Sequence, residues 1–185
     1  MKYFEVKEDF SRFADRWHLN DPFDENEKEI DSRLFRYGKA YHGLPPKTIS
    51  VDVPGTEVAF TFGPFSLPVI REDFRIAIES IAKDGYELYP VEVIGSNSRF
   101  WIINVTTQID CVDESSSKFT KFGPGTSRPD LPNNYSCFFK LIIDKKGIES
   151  HIFRIKNFVQ GLIVSEEIRN KLINIPDLGV GFREV

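Results

Sequence analysis

Cysteine is scarce: the 185 residues hold two, Cys111 and Cys137, too few for a disulfide framework. Both lie in apolar, strand-like runs, which predicts buried free thiols. The three histidines, His18, His42 and His151, are scattered, and none takes a two-histidine metal spacing. No apolar run reaches membrane length, and the opening MKYFEVKEDF lacks the apolar stretch of a signal peptide. A soluble, cytoplasmic chain with no membrane partner is therefore expected. There is no Gly-x-Ser-x-Gly elbow and no Gly-rich phosphate loop. Gly123-Pro124-Gly125-Thr126 lacks the Gly-Lys-Ser continuation that would cradle phosphates. A basic stripe is missing too, which argues against direct nucleic-acid binding.

Phenylalanine, in contrast, is abundant, with 17 copies. Each ring buries on the order of 150–250 Å2, so aromatic contacts should dominate the packing energy. Charge is unevenly placed. The net charge is −4, and residues 1–35, with ten acids and six bases, carry all of it. Asp24, Glu25, Glu27, Glu29 and Asp31 form the densest acidic stretch. Such a stretch is either a solvated face or a patch that steers a basic partner.

Residues 69–91 and 163–185 align without a gap at an offset of 94 positions. Glu72 matches Glu166, Arg75 matches Arg169, Gly85 matches Gly179 and Val91 matches Val185. Each copy has a strand end, an acidic helix start, one amphipathic helix, a Gly turn and a closing strand. The expected fold is α+β: a mainly antiparallel sheet, a few helices, and two strand-helix-strand units related as an internal repeat. The helix of the first unit is expected over 71–83. Phe10, Phe13, Ala14 and Trp17 recur at helical spacing and predict a further helix over 9–18. Strands are expected at 3–6, 49–53, 58–62, 88–94 and 100–105. Residues 114–134 are rich in Ser, Gly, Pro and Asn and predict a long surface loop. Residues 137–143 and 150–155 should form a hairpin. Residues 1–66 are expected to be an acidic segment packing on a main domain of 67–185.

Chemistry-bearing residues are sparse. Asp110 and Asp113 are the clustered carboxylates of the C-terminal part. On a strand their side chains point to opposite faces, and no Gly-centred calcium loop surrounds them. Asp113 with Ser115 and Ser116 has the character of a turn whose side chains bond their own backbone. No catalytic, cofactor or metal residue is assigned.

Several motifs in the C-terminal two thirds do carry a resemblance. They are Pro68 to Phe74 at a helix entry, Tyr89-Pro90-Val91, Phe100 to Val105, and Ile109 to Ser116. Phe153-Arg154, Ile163 to Glu167 and Gly179 to Val185 complete the set. Over residues 67–185 the chain resembles immunity family eleven of bacterial polymorphic toxin systems. The resemblance implies a non-enzymatic protein that binds a cognate toxin and blocks its active site or substrate path. With the acidic N-terminal stretch, it implies a toxin domain with a basic surface. Partner contacts are expected at Asp24, Glu25, Glu27, Glu29 and Asp31, and at Lys121, Phe122, Arg128 and Asp130 of the long loop. Two alternatives stay open. One is a general interaction module without a toxin partner. The other is a small hydrolase that reverses a toxin modification through Asp110, Asp113 and His151.

Overall fold

The computed structural model describes residues 1–123, 125, 128, 131–158 and 160–185. The chain runs β1 (Tyr3–Glu8), β2 (His18–Phe23), a 3-10 turn (Ser32–Phe35), β3 (Thr48–Val53), β4 (Phe60–Gly63) and a second 3-10 turn (Pro64–Ser66). It continues through β5 (Leu67–Arg71), α1 (Glu72–Glu79), β6 (Tyr86–Val93), β7 (Phe100–Val105), β8 (Gln108–Ile109), β9 (Lys118–Lys121) and β10 (Tyr135–Lys140). The last elements are β11 (Ile152–Ile155), β12 (Ile163–Ser165), α2 (Glu166–Leu172) and β13 (Val180–Glu184). Six strands form one sheet in the order β2-β3-β6-β7-β5-β4, and five form another in the order β13-β1-β12-β11-β8. Strands β9 and β10 make a separate hairpin. In the larger sheet the two edge strands, β2 and β4, approach each other, so it curls into a nearly closed barrel.

Strand alternation explains the layering. Neighbouring residues face opposite sides of a strand. In β5 and β7, Val69 and Ile102 therefore enter one core, while Ile70 and Ile103 enter the next. The smaller sheet does the same, with Phe4, Ile152 and Val164 on one side and Tyr3, Phe153 and Ile163 on the other. Strands apolar on both faces belong between two cores, as LPVI and FWIINV do. The first core, inside the curled sheet, holds Trp17, Phe35, Val93 and Phe100. The middle core lies between the sheets and receives Phe74 and Ile78 of α1 and Ile168 and Leu172 of α2. The third backs the β9–β10 hairpin with Phe138 and Phe158. Truncating a fully buried ring such as Phe74 costs about 3–5 kcal/mol in a core of this kind.

These layers overturn the α+β expectation with its two repeated units. The molecule is mainly sheet, with 39% of residues in strands and 12% in helices. The helices are eight and seven residues long and fill space between sheets rather than forming a layer. The first stops at Glu79 instead of 83, and the chain turns at Gly85 (φ +85°). A Cβ there would lie 2.6 Å from Thr107 Oγ1, so the turn needs glycine twice over.

Further expectations fail for tertiary reasons. Residues 9–16 are turns, not a helix. The Asp9 carboxylate accepts the N–H groups of Ser11 and Arg12, closing one turn that does not propagate. Arg16 then bridges Thr56, and the chain enters β2. Strands β10 and β11 do not pair. β10 takes β9, which lies inside the expected loop, and β11 takes β12 and β8. Cys137 is exposed rather than buried, because it sits on the outer face of that hairpin. Cys111 is buried, and burial, with Asp110 and Asp144 nearby, pushes its thiol up to about 12.

Arg16 ties the sheets together. It is 2% exposed and donates to the carbonyls of Gly179 (2.6 Å) and Phe60 (2.5 Å) and to Thr61 Oγ1 (2.8 Å). Glu8 lies 3.2 Å away and supplies the countercharge. Burial lowers the arginine's pKa, and Glu8 opposes that shift.

Candidate functional site

After β2 the chain reverses in a turn built by Asp24. This aspartate is buried, and its Oδ1 accepts the N–H groups of Asn26 (2.8 Å) and Lys28 (3.1 Å). Its own N–H donates to Lys28 O, and Glu27 takes a left-handed φ of 58°. The result holds Glu25, Glu27 and Glu29 out in solvent. Asp31 serves the structure instead. It caps the first 3-10 turn through the Arg33 N–H and grips Arg33 Nε with both oxygens, at 2.9 and 3.0 Å. The hydrogen bond from Arg33 lowers its pKa. Of the five acids of the stretch, three project and two are used locally.

The loop residues fare differently. Lys121 closes β9, where its Nζ pairs with Glu114 at 2.6 Å and sits over the rings of Tyr135 (4.8 Å) and Phe119 (5.4 Å). Phe122 is half-buried, and its backbone exchanges hydrogen bonds with Asn133 and Asn134. Arg128 is also half-buried and lies close enough to Arg33 for their charges to repel. Asp130 lies outside the described residues.

A second surface adjoins the acidic turn, and no sequence motif singles it out. Phe65 (φ 52°, ψ 31°) and Ser66 (φ 65°) are two successive non-glycine residues in the left-handed region. Each costs roughly 1–2 kcal/mol, so surrounding packing must hold them there. The effect is to stand the Phe65 ring out at 49% exposure, with the guanidinium of Arg33 4.9 Å and that of Arg36 5.5 Å from its centroid. Beside it, Leu34, Tyr37, Ala40, Tyr41 and His42 border a groove of about 380 Å3. A ring directly after Gly63-Pro64, close to arginines only in space, is a weak sequence signal.

The groove wall is braced from beneath. Glu87 Oε2 accepts the Tyr41 N–H (3.0 Å), the Tyr89 hydroxyl (2.8 Å) and Asn104 Nδ2 (2.8 Å). Asn104 Nδ2 also reaches Lys39 O at 2.8 Å. Burial pushes the Glu87 pKa up, but the three donors outweigh it and hold the carboxyl below its usual range. The rings of Phe35, Tyr41 and Tyr89 pack together above this network, with centroids 4.7–5.9 Å apart. Below, a cavity of about 90 Å3 is bordered by Arg36, Gln108, Asn134 and Arg154. Burial, with the charge of Arg36, brings the Arg154 pKa down to about 10.

Residues of the hydrolase alternative have separate partners. Asp110 pairs with Lys156 at 3.3 Å. Asp113 accepts from Ser115 and Ser116, and those bonds lower its pKa. His151 Nδ1 lies 3.0 Å from Ser165 Oγ, which itself caps α2. Among the described residues the three share no hydrogen-bond partner. Among the described residues no group of three or more His, Cys, Asp or Glu could hold a metal, and no helix is long and apolar enough to cross a membrane.

No curated protein matches the chain. The model of the Immunity protein family (Imm11), however, matches residues 12–185. The match takes in residues 12–66, which carry both the acidic turn and the Phe65 surface, as well as the C-terminal part that carried the resemblance. The chain therefore belongs to the Imm11 immunity protein family, which gives it a general role in toxin immunity.

Proposed function

We propose that the protein neutralises a cognate toxin domain by binding it and covering its active site or substrate path, without chemistry of its own. Family membership supports the immunity role. The observation that carries the binding reading is the acidic turn. Glu25, Glu27 and Glu29 project from a backbone fixed by the buried Asp24, so their charge is presented without first ordering a loop. Preorganised like charge speeds encounter with a basic face and adds less to the final affinity. A toxin that acts on nucleic acid would present such a face.

The test uses the toxin domain whose lethality the protein relieves on co-expression. The E25K/E27K/E29K variant should associate with it at least about 10-fold more slowly at low salt, and the gap should close as salt rises. Equal association rates at low salt would remove the acidic turn from the encounter.

A further inference from the structure

We propose that the cavity beneath the groove is a binding site for a doubly charged tetrahedral oxyanion such as phosphate. Five separated stretches of chain meet there. They bring Arg36 and Tyr37 after the first 3-10 turn, Gln108 of β8, Asn134 before β10, Arg154 of β11, and Asn157 just beyond it. The site is distinct from the acidic turn and does not depend on the toxin-binding reading.

Two buried cations share the cavity. Arg36 is 7% exposed and Arg154 is 1% exposed, and both border it. The charge of Arg36 acts on Arg154 and, together with burial, brings its pKa down to about 10. No carboxylate is among the described residues that border the cavity. Asp31 feels the charge of Arg36, but both its oxygens already hold Arg33. Like charges removed from water repel strongly, and an anion between them replaces that repulsion with two attractions.

Donors without partners surround the same space. Among the described residues the Arg36 guanidinium makes no hydrogen bond or ion pair, and the side-chain amides of Asn134 and Asn157 make no hydrogen bond. Arg36 Nε is sealed within the protein, which leaves its terminal N–H groups as the part able to reach the cavity. Backbone carbonyls help to place the other walls. Gln108 Nε2 donates to Tyr37 O, and Arg154 Nη2 donates to Phe35 O at 3.3 Å. A guanidinium can only donate, so a ligand common to both arginines must be an acceptor.

Volume and charge narrow the ligand further. The cavity, about 90 Å3, has room for about three waters, enough for one oxyanion and too little for a nucleoside or a peptide segment. Water would satisfy the amides but leave two guanidinium charges facing one another. A monocarboxylate would balance one of them. Phosphate or sulfate balances both, and its oxygens spread toward donors that arrive from several directions. The bound anion would tie the segment that carries the groove, through Arg36, to β11 of the smaller sheet, through Arg154.

The experiment is thermal melting of the full chain in phosphate, sulfate or acetate at pH 8, with chloride keeping the ionic strength constant. Phosphate and sulfate should raise the wild-type melting temperature along a saturating curve, with an acetate midpoint at least about 10-fold higher. A rise that stays linear in concentration is the general effect of such salts on burial, and would overturn the site. R36M should move the phosphate midpoint upward at least about 10-fold. N157D alters an exposed residue and so keeps the fold. Its carboxylate should remove the phosphate dependence and raise the melting temperature in chloride alone. A wild-type phosphate midpoint in R36M would sink the proposal. If R36M did not fold, the same midpoint in N157D would sink it. Toxin rescue, scored separately in N157D, keeps failure of this site distinguishable from failure of the immunity reading.

Discussion

The acidic turn and the Phe65 surface are neighbours with opposite construction. In the turn, one buried carboxylate organises the backbone and three others are left to solvent. At Phe65 the cations flank a ring that strained backbone holds outward. The first arrangement is cheap, since surface carboxylates on a tight turn disturb nothing. The second carries the left-handed cost at two residues and a buried arginine with an open donor. A protein under selection for stability alone would discard the second and keep the first. The first would suit the long-range attraction proposed above, which needs only charge.

The largest effect should come from undercutting the groove while leaving the turn intact. Glu87→Ala strands the donors of Tyr41, Tyr89 and Asn104 and should cost about 2–3 kcal/mol in denaturant unfolding. Because its pKa is held below the ordinary 4.5, Glu87 contributes stability above about pH 4.5 and loses it as pH falls through the lower folded value. The stability gap between wild type and Glu87→Ala should therefore narrow in acid, and a gap constant from pH 7 to 3 would refute the network's role. Next is the roughly 10-fold loss of association rate in E25K/E27K/E29K, which sharpens the comparison if dissociation rates stay at the wild-type value. Asp24→Ala keeps the three projecting charges but frees two N–H groups, so about 1 kcal/mol of stability should be lost. Association should stay salt-dependent, and loss of that dependence would show that charge placement matters more than charge number. The smallest effect is a gain. Ser66→Gly removes left-handed strain and should raise stability by about 0.5–1 kcal/mol in thermal melts. An unchanged or lower melting temperature would mean that the conformation is not strained.

Legibility in the sequence followed how local each feature is. Strands β3, β6 and β7 were close to their predicted spans, because alternating apolar residues in β3 and β6 and a continuous apolar run in β7 write a strand into consecutive letters. The Asp113 turn was equally plain, since its acceptor and donors lie within three residues. Pairing was not legible. Nothing in the sequence near Lys118–Lys121 announces that β10 will choose it over β11, and Ser- and Gly-rich flanks disguise it as loop. The helical spacing of Phe10, Phe13 and Trp17 was genuine but lost to tertiary demand. Trp17 is buried against Phe100 and Arg16 is fixed by Phe60 and Gly179, so the segment could not also wind. The two matched strand-helix-strand units point to α+β, although strands occupy most of the ordered chain between their helices. In the acidic stretch, letters gave charge but not availability, and Asp24 and Asp31 are used internally. The Phe65 surface was invisible because its parts, 33–44 and 65, meet only after β4 and β5 have paired.

Strand β1 sits between β12 and β13, with Tyr3 opposite Ser165 and Phe4 opposite Glu184. During translation at roughly 5–20 residues per second, the earliest strand waits roughly 8–30 s for the neighbours that sandwich it. A nascent chain meanwhile carries Tyr3, Phe4 and Val6 without their final cover, and its Arg16 lacks Gly179. A polypeptide stopped before β13 would leave β1 paired on one side only and Arg16 without the Gly179 carbonyl, so the two sheets lock together only once that strand is in place.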